Sequence, residues 1–188
     1  MNDDLAATLR LLSERFALAG VEYMVVGSIA ALAYGRSRAT QDFDVVAALD
    51  EDSTRALLGV LPRDRFYVSE EAAFEALRRY TMFNVIDLGS GWKIDVMPLK
   101  RRQFSRREFS RRTVIDVLGV ALPVATIEDT IVAKLEWSTQ AGGSARRLED
   151  VRELVRLGGA RLDRAYIDTC VVELGLSEPW QNLIATIS

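Results

Sequence analysis

The sequence has 188 residues, 49% hydrophobic and 27% charged, the mix of one globular domain or a domain with a small helical appendage rather than a disordered chain. It contains no histidine and a single cysteine, Cys170, which excludes disulfides, zinc centres and any hydrolase built on a histidine base. At a formal net charge of −3, chemistry has to rest on carboxylates, Lys, Arg, hydroxyls and an oxygen-loving divalent ion.

Leu5, Leu9, Leu12, Phe16 and Ala19 recur at helical spacing, which predicts an amphipathic helix over 5–19 stopped by Gly20. VEYMVVG (21–27) reads as a buried strand. Its Gly27-Ser28 turn opens a short helix, IAALAY, with Ser28 as N-cap and Gly35 as terminator. DFDVVAAL (42–49) is a second strand, followed by a helix from Asp52 to Leu61 that stops before Pro62, and by another over 70–79. TMFNVIDL (81–88) and WKIDVMPL (92–99), joined by Gly89-Ser90-Gly91, predict a hairpin, and TVIDVLGVALPV (113–124) predicts another through Gly119. From Thr126 the pattern is helical, with helices expected over 126–139, 145–157, 163–174 and 177–187. The expected fold class is thus α/β (α+β): a core with a mixed sheet and flanking helices over 1–125, and an all-helical region over 126–188 packed on it.

Within this frame, two strands carry carboxylates on one face. Side chains at i and i+2 of a strand point the same way, so Asp42 and Asp44 project together while Phe43 and Val45 enter the core. Lys93 and Asp95 share a face in the same manner, opposite Trp92, Ile94 and Val96. If the two strands are neighbours, Asp95 joins the pair as a third carboxylate. Acids so close repel one another unless a cation lies between them, and such a group can hold magnesium that activates a hydroxyl and steadies a phosphoryl leaving group. Upstream, Gly27 allows close backbone approach and Ser28 offers a hydroxyl to phosphate; taken alone, Ser28 is equally well a helix cap.

The ordered set, GSIAALAYGRSRATQDFDVV, GWKIDVM, IEDTIVAKLEW and GGSARRLEDVREL, resembles the polymerase-β-like nucleotidyltransferase superfamily. Its Gly-x-x-Arg-x-Thr element before the acids is similar to the AbiEii-toxin-like, minimal nucleotidyltransferase branch. The resemblance runs from about residue 20 to 157, with a helical tail that also fits. It implies a nucleotidyltransferase fold and a role for each matching residue. Asp42, Asp44 and Asp95 would bind Mg2+ or Mn2+, with Asp95 helping to deprotonate the acceptor. Gly27 and Ser28 would hold the triphosphate, Lys134 would contact phosphate, and Asp150 matches the acid of a later helix motif. Arg36, Arg38 and Lys93 stand beside these residues as triphosphate-binding candidates. The spacing of fourteen positions between Ser28 and Asp42 exceeds that of the polymerase-like members.

The activity so implied is transfer of a nucleoside monophosphate from a nucleoside triphosphate such as ATP to an acceptor hydroxyl, on RNA, tRNA in particular, or on a protein. A toxin role with a cognate antitoxin is the corresponding biological setting. The alternative is a silent binding module of the same fold, an antitoxin or regulatory partner, against which three retained acids argue. A glycosyltransferase using its Asp-x-Asp fits less well, since a Gly-Ser helix start precedes the acids closely. Lys100 to Arg112 holds seven basic residues against one acid, and reads either as a polyanion contact or as a solvated arginine face. Trp92, Trp137 and Trp180 are expected to pack in the core or at an interface, Cys170 to be inert, and Gly142-Gly143 to form a loop. No apolar run reaches membrane-spanning length and the chain opens MNDDLAATL without a leader pattern, so a cytoplasmic location without membrane contact is expected.

Overall fold

The structure is a computed structural model that describes residues 2–36, 42–140 and 145–187. Arg38 and Gly142-Gly143 lie outside the described residues. The elements in order are α1 (Asn2–Leu18), β1 (Tyr23–Val26), α2 (Gly27–Ala33), β2 (Asp42–Ala47), α3 (Glu51–Val60), β3 (Phe66–Val68), α4 (Glu70–Arg79), β4 (Phe83–Asp87) and β5 (Lys93–Pro98). They continue with α5 (Gln103–Arg111), β6 (Thr113–Val117), β7 (Val120–Val124), α6 (Ile127–Gln140), α7 (Ala145–Gly158), α8 (Arg164–Glu173) and α9 (Ser177–Ile184). Among the described residues, seven strands make one mixed sheet in the order β3-β4-β5-β2-β1-β7-β6. No helix among them is long and apolar enough to cross a membrane.

Period-2 alternation decides which residues go to which face of the sheet. Phe43, Val45, Ile94 and Val96 join Leu5, Leu9, Leu12 and Phe16 of α1 in the main core, and each such fully buried side chain contributes about 1.5–3 kcal/mol. Met24, with Val26 and Val46 beside it, points to the second face and meets Phe109 of α5 and Ala125. A further cluster joins α6 to α9 through Leu135, Leu154, Ile167 and Trp180, and takes in Ala31 of α2 and Phe104 of α5. The acids of β2 and β5 therefore lie on the face that α5 shares, open toward the C-terminal helices.

Three local expectations change. Ser28 is not the N-cap: α2 begins at Gly27, whose positive φ turns the chain, and Val26 precedes it without any side-chain cap bond. The short strand β3 on the sheet edge was not expected, because three residues are too few to show a period. Residues 103–111 of the basic segment form α5; four arginines of the segment are paired within the fold, while Lys100, Arg101 and Arg106 are exposed. Arg102 is paired with Glu136 at 2.7 Å, Arg107 with Glu173 at 2.7 Å, Arg111 with Asp129 at 3.2 Å and Arg112 with Glu22 at 3.1 Å. Buried Phe104 and Phe109 on the same helix give it an apolar side. Those four arginines dock the helix.

Glu108 lies buried in this dock. Burial pushes its carboxyl up to about 8 from 4.5, reinforced by Asp129 and Glu136 and opposed by Arg102. Between these values the folded chain keeps a proton that the unfolded chain releases, so this group's stabilising contribution is complete below about 4.5 and is lost as the pH rises through about 8. Glu108→Gln is therefore expected to melt increasingly above the wild type as pH rises across that window. Parallel melting curves from pH 5 to 9 would show an ionised Glu108 and contradict the expectation.

Candidate active site

Strand register assembles the acids. In the parallel pair β2 and β5, Asp42 stands opposite Lys93 and Asp44 opposite Asp95. On the other side of β2, Asp44 stands opposite Val26, the residue before the Gly27 turn. The condition set by the sequence, that the two strands be neighbours, is met. Asp95 is buried, and Asn84 of β4, its cross-strand partner, donates Nδ2–H to Oδ1 at 2.5 Å.

The Lys93 ammonium lies between two of the acids, 3.2 Å from Asp42 Oδ1 and 3.2 Å from Asp95 Oδ2. Partial burial works against its charge, but these contacts hold it above the usual lysine range. Burial pushes Asp44 up to about 6; the neighbouring Asp95 and Asp42 charges add to this, and Lys134 and Lys93 oppose it. Gly27 has φ +66°, and a Cβ built on it would fall 2.1 Å from Asp44 Oδ2. The absence of a side chain at position 27 is what lets the turn lie against the carboxylate.

A second group faces this one from the helices. Lys134 of α6 reaches Asp150 Oδ2 of α7 at 3.3 Å, and Arg36, just beyond α2, reaches Asp150 Oδ1 at 2.5 Å and Glu153 Oε2 at 2.7 Å. Burial pulls the Lys134 ammonium below the usual lysine range, while Asp150 and Asp44 act the other way. Arg36 is buried and paired with two carboxylates of α7. Ser28 is half-buried in the first turn of α2.

The sequence missed Asn84, which is one polar residue in an ordinary strand pattern and becomes visible only through its cross-strand partner. Trp137 is 54% exposed, one helical turn beyond Lys134 on α6, and so is outside the core. Trp180 is buried, with its indole N–H donated to Asp168, and Trp92 packs on the core. Cys170 is buried as a free thiol, and burial raises it above the usual thiol range, so little thiolate forms.

Among the described residues, no three acidic, histidine or cysteine side chains already converge on one point. The carboxylates nevertheless suit magnesium or manganese: burial, with the neighbouring Asp95 and Asp42 charges, pushes Asp44 up, and a cation, the Lys93 ammonium, already sits between Asp42 and Asp95. The cluster needs positive charge, and its all-oxygen chemistry fits a hard ion.

No protein-family model and no curated protein matches the chain. Its fold is similar to that of an antigenic nucleotidyltransferase-like protein from Paracoccidioides brasiliensis, at 17% identity and a TM-score of 0.56, over 98% of this chain and 92% of that one. It is similar also to the antibiotic-resistance factor ANT(2'')-Ia, solved with adenylyl-2''-tobramycin, at 14% identity and a TM-score of 0.57, over 89% and 96% of the two chains. The solution structure of ANT(2'')-Ia gives 15% identity and a TM-score of 0.56 over 96% and 95%. These likenesses show a nucleotidyltransferase fold spanning nearly the whole chain.

Proposed function

We propose that this chain is a nucleotidyltransferase that moves a nucleoside monophosphate from a nucleoside triphosphate to an acceptor hydroxyl and releases pyrophosphate. The observation that carries the reading is the registered pair Asp44 and Asp95 on adjacent strands, with Asp42 on the same face and the Gly27 turn against Asp44. A binding module has no use for a carboxylate cluster that burial and like charge keep under strain.

Asp42, Asp44 and Asp95 would hold magnesium or manganese, which supplies neutralising charge at the transferring phosphoryl group. Asp95, oriented by Asn84, is placed to take the proton of the acceptor hydroxyl as its oxygen bonds to the α-phosphorus and the α–β bridging bond breaks. The Gly27-Ser28 turn and Lys134 bind the triphosphate tail, and Asp150 holds the lysine in reserve. Lys93 borders the same cluster.

The acceptor readings are an RNA end, tRNA in particular, and a protein, in a toxin role with a cognate antitoxin. A second reading, a small-molecule hydroxyl, is favoured by the docking of α5, since four of the arginines suited to grip RNA are paired within the fold. The adenylyl-tobramycin held by ANT(2'')-Ia supports it. Incubation with each labelled nucleoside triphosphate, magnesium and cell extract, followed by separation of RNA, protein and small molecules, tests all three. Label is expected in one fraction for the wild type and in none for Asp42→Ala with Asp44→Ala; no transfer by the wild type from any of the four triphosphates overturns the proposal.

A further inference from the structure

We infer that Lys93 is a tethered counter-cation that occupies the ion position of the acid cluster and is displaced by the divalent ion, so that it sets how tightly that ion binds. The inference rests on the reading of Asp42, Asp44 and Asp95 as metal ligands. Lys93 is placed by register, not by chance of side-chain conformation: it stands opposite Asp42 across the parallel pair and one pleat from Asp95 on its own strand. Its ammonium is equidistant from one oxygen of each, at 3.2 Å. The side chain is 39% exposed at the end of a flexible four-carbon stem, so it has somewhere to go.

Two cations cannot share this space cheaply. Magnesium takes its oxygen ligands at roughly 2.0–2.1 Å, closer than the ammonium now stands, and at such range the two positive charges repel. The ion must therefore expel the amine, and its apparent affinity is reduced by the strength of the contacts it replaces. Lys134 does not play this part, since its amine is held on Asp150 across the cleft. Once expelled, the Lys93 amine lies beside the place where a triphosphate would be drawn by the ion, so exchange of one cation for another also frees a phosphate contact.

The test is titration of the full chain with Mn2+ alone, followed by the paramagnetic signal of the free ion and by calorimetry, for the wild type, Lys93→Met, Lys93→Arg and Asp44→Asn. Folding of each is checked by circular dichroism, with Lys93→Gln as the second neutral variant. Removing one unit of opposing charge near the ion is expected to tighten Mn2+ binding about tenfold in the neutral variants, whereas Lys93→Arg stays within about threefold of the wild type because it keeps the charge. Equal or weaker binding by both neutral variants, with Asp44→Asn still abolishing it, overturns the role of Lys93 and leaves the metal site standing. Absence of Mn2+ binding by every protein overturns both.

Discussion

Asp44→Asn is expected to lose nucleotidyl transfer by about a thousandfold or more and, with metal chelated, to melt no lower than the wild type. The two outcomes go in opposite directions for one reason. Asp44 stands where burial and the charges of Asp95 and Asp42 disfavour ionisation, pushing its carboxyl up to about 6 from 3.8. The folded chain therefore keeps a proton there that the unfolded chain gives up. The stability linked to it is complete below about 3.8 and is lost as pH rises through about 6. Asparagine removes that penalty above pH 6, and with it the negative charge the reaction needs. Initial rates with a labelled triphosphate at pH 8, beside melting curves in chelator, check both. A variant that keeps a tenth of the wild-type rate would remove Asp44 from the reaction, and one that melts far lower would make its role structural.

Arg36→Met is expected to cost about 3 kcal/mol of stability, the usual result of removing one partner from a buried ion pair, and so to lower the melting temperature by roughly 6–12 °C for a domain of this size. Arg36 lies at the junction of α2 and α7, where its guanidinium neutralises buried Asp150 and reaches Glu153. Methionine fills similar volume without charge and leaves Asp150 under-compensated in a poorly solvated place. Asp150→Asn in the same chain is expected to restore part of the loss, because the amide tolerates burial better than a carboxylate. Thermal melts of the single and double variants decide the matter: a loss under about 1 kcal/mol, within the range of an exposed pair, would show that water compensates Asp150.

The acids of the candidate site were legible because a strand has a fixed period. The apolar character of Phe43 and Val45 forces Asp42 and Asp44 to the opposite face, and Ile94 and Val96 do the same for Lys93 and Asp95. The helices of the C-terminal third were legible for a similar reason, since their buried stripes recur at helical spacing. Asn84 and β3 were not legible: a single amide or a three-residue strand carries no periodic signal. The pairing of the arginines between Lys100 and Arg112 was hidden in another way. Their number offered either a polyanion contact or a solvated face, and the partners of four of them, Glu136, Glu173, Asp129 and Glu22, lie between 18 and 90 residues away in the chain.

Local order along the chain thus determined the elements, the face each side chain takes and the oxygen-only chemistry that a chain without histidine must use. Only the folded structure decided that Asp44 meets Asp95, that Lys93 fills the gap between acids, that Arg36 is spent on Asp150 and that Trp137 stays uncovered. The division has a physical cause. Which way a side chain points follows from backbone geometry over a few residues, whereas the partner and solvation of a charge depend on which distant segments the packing brings within a few ångströms of it.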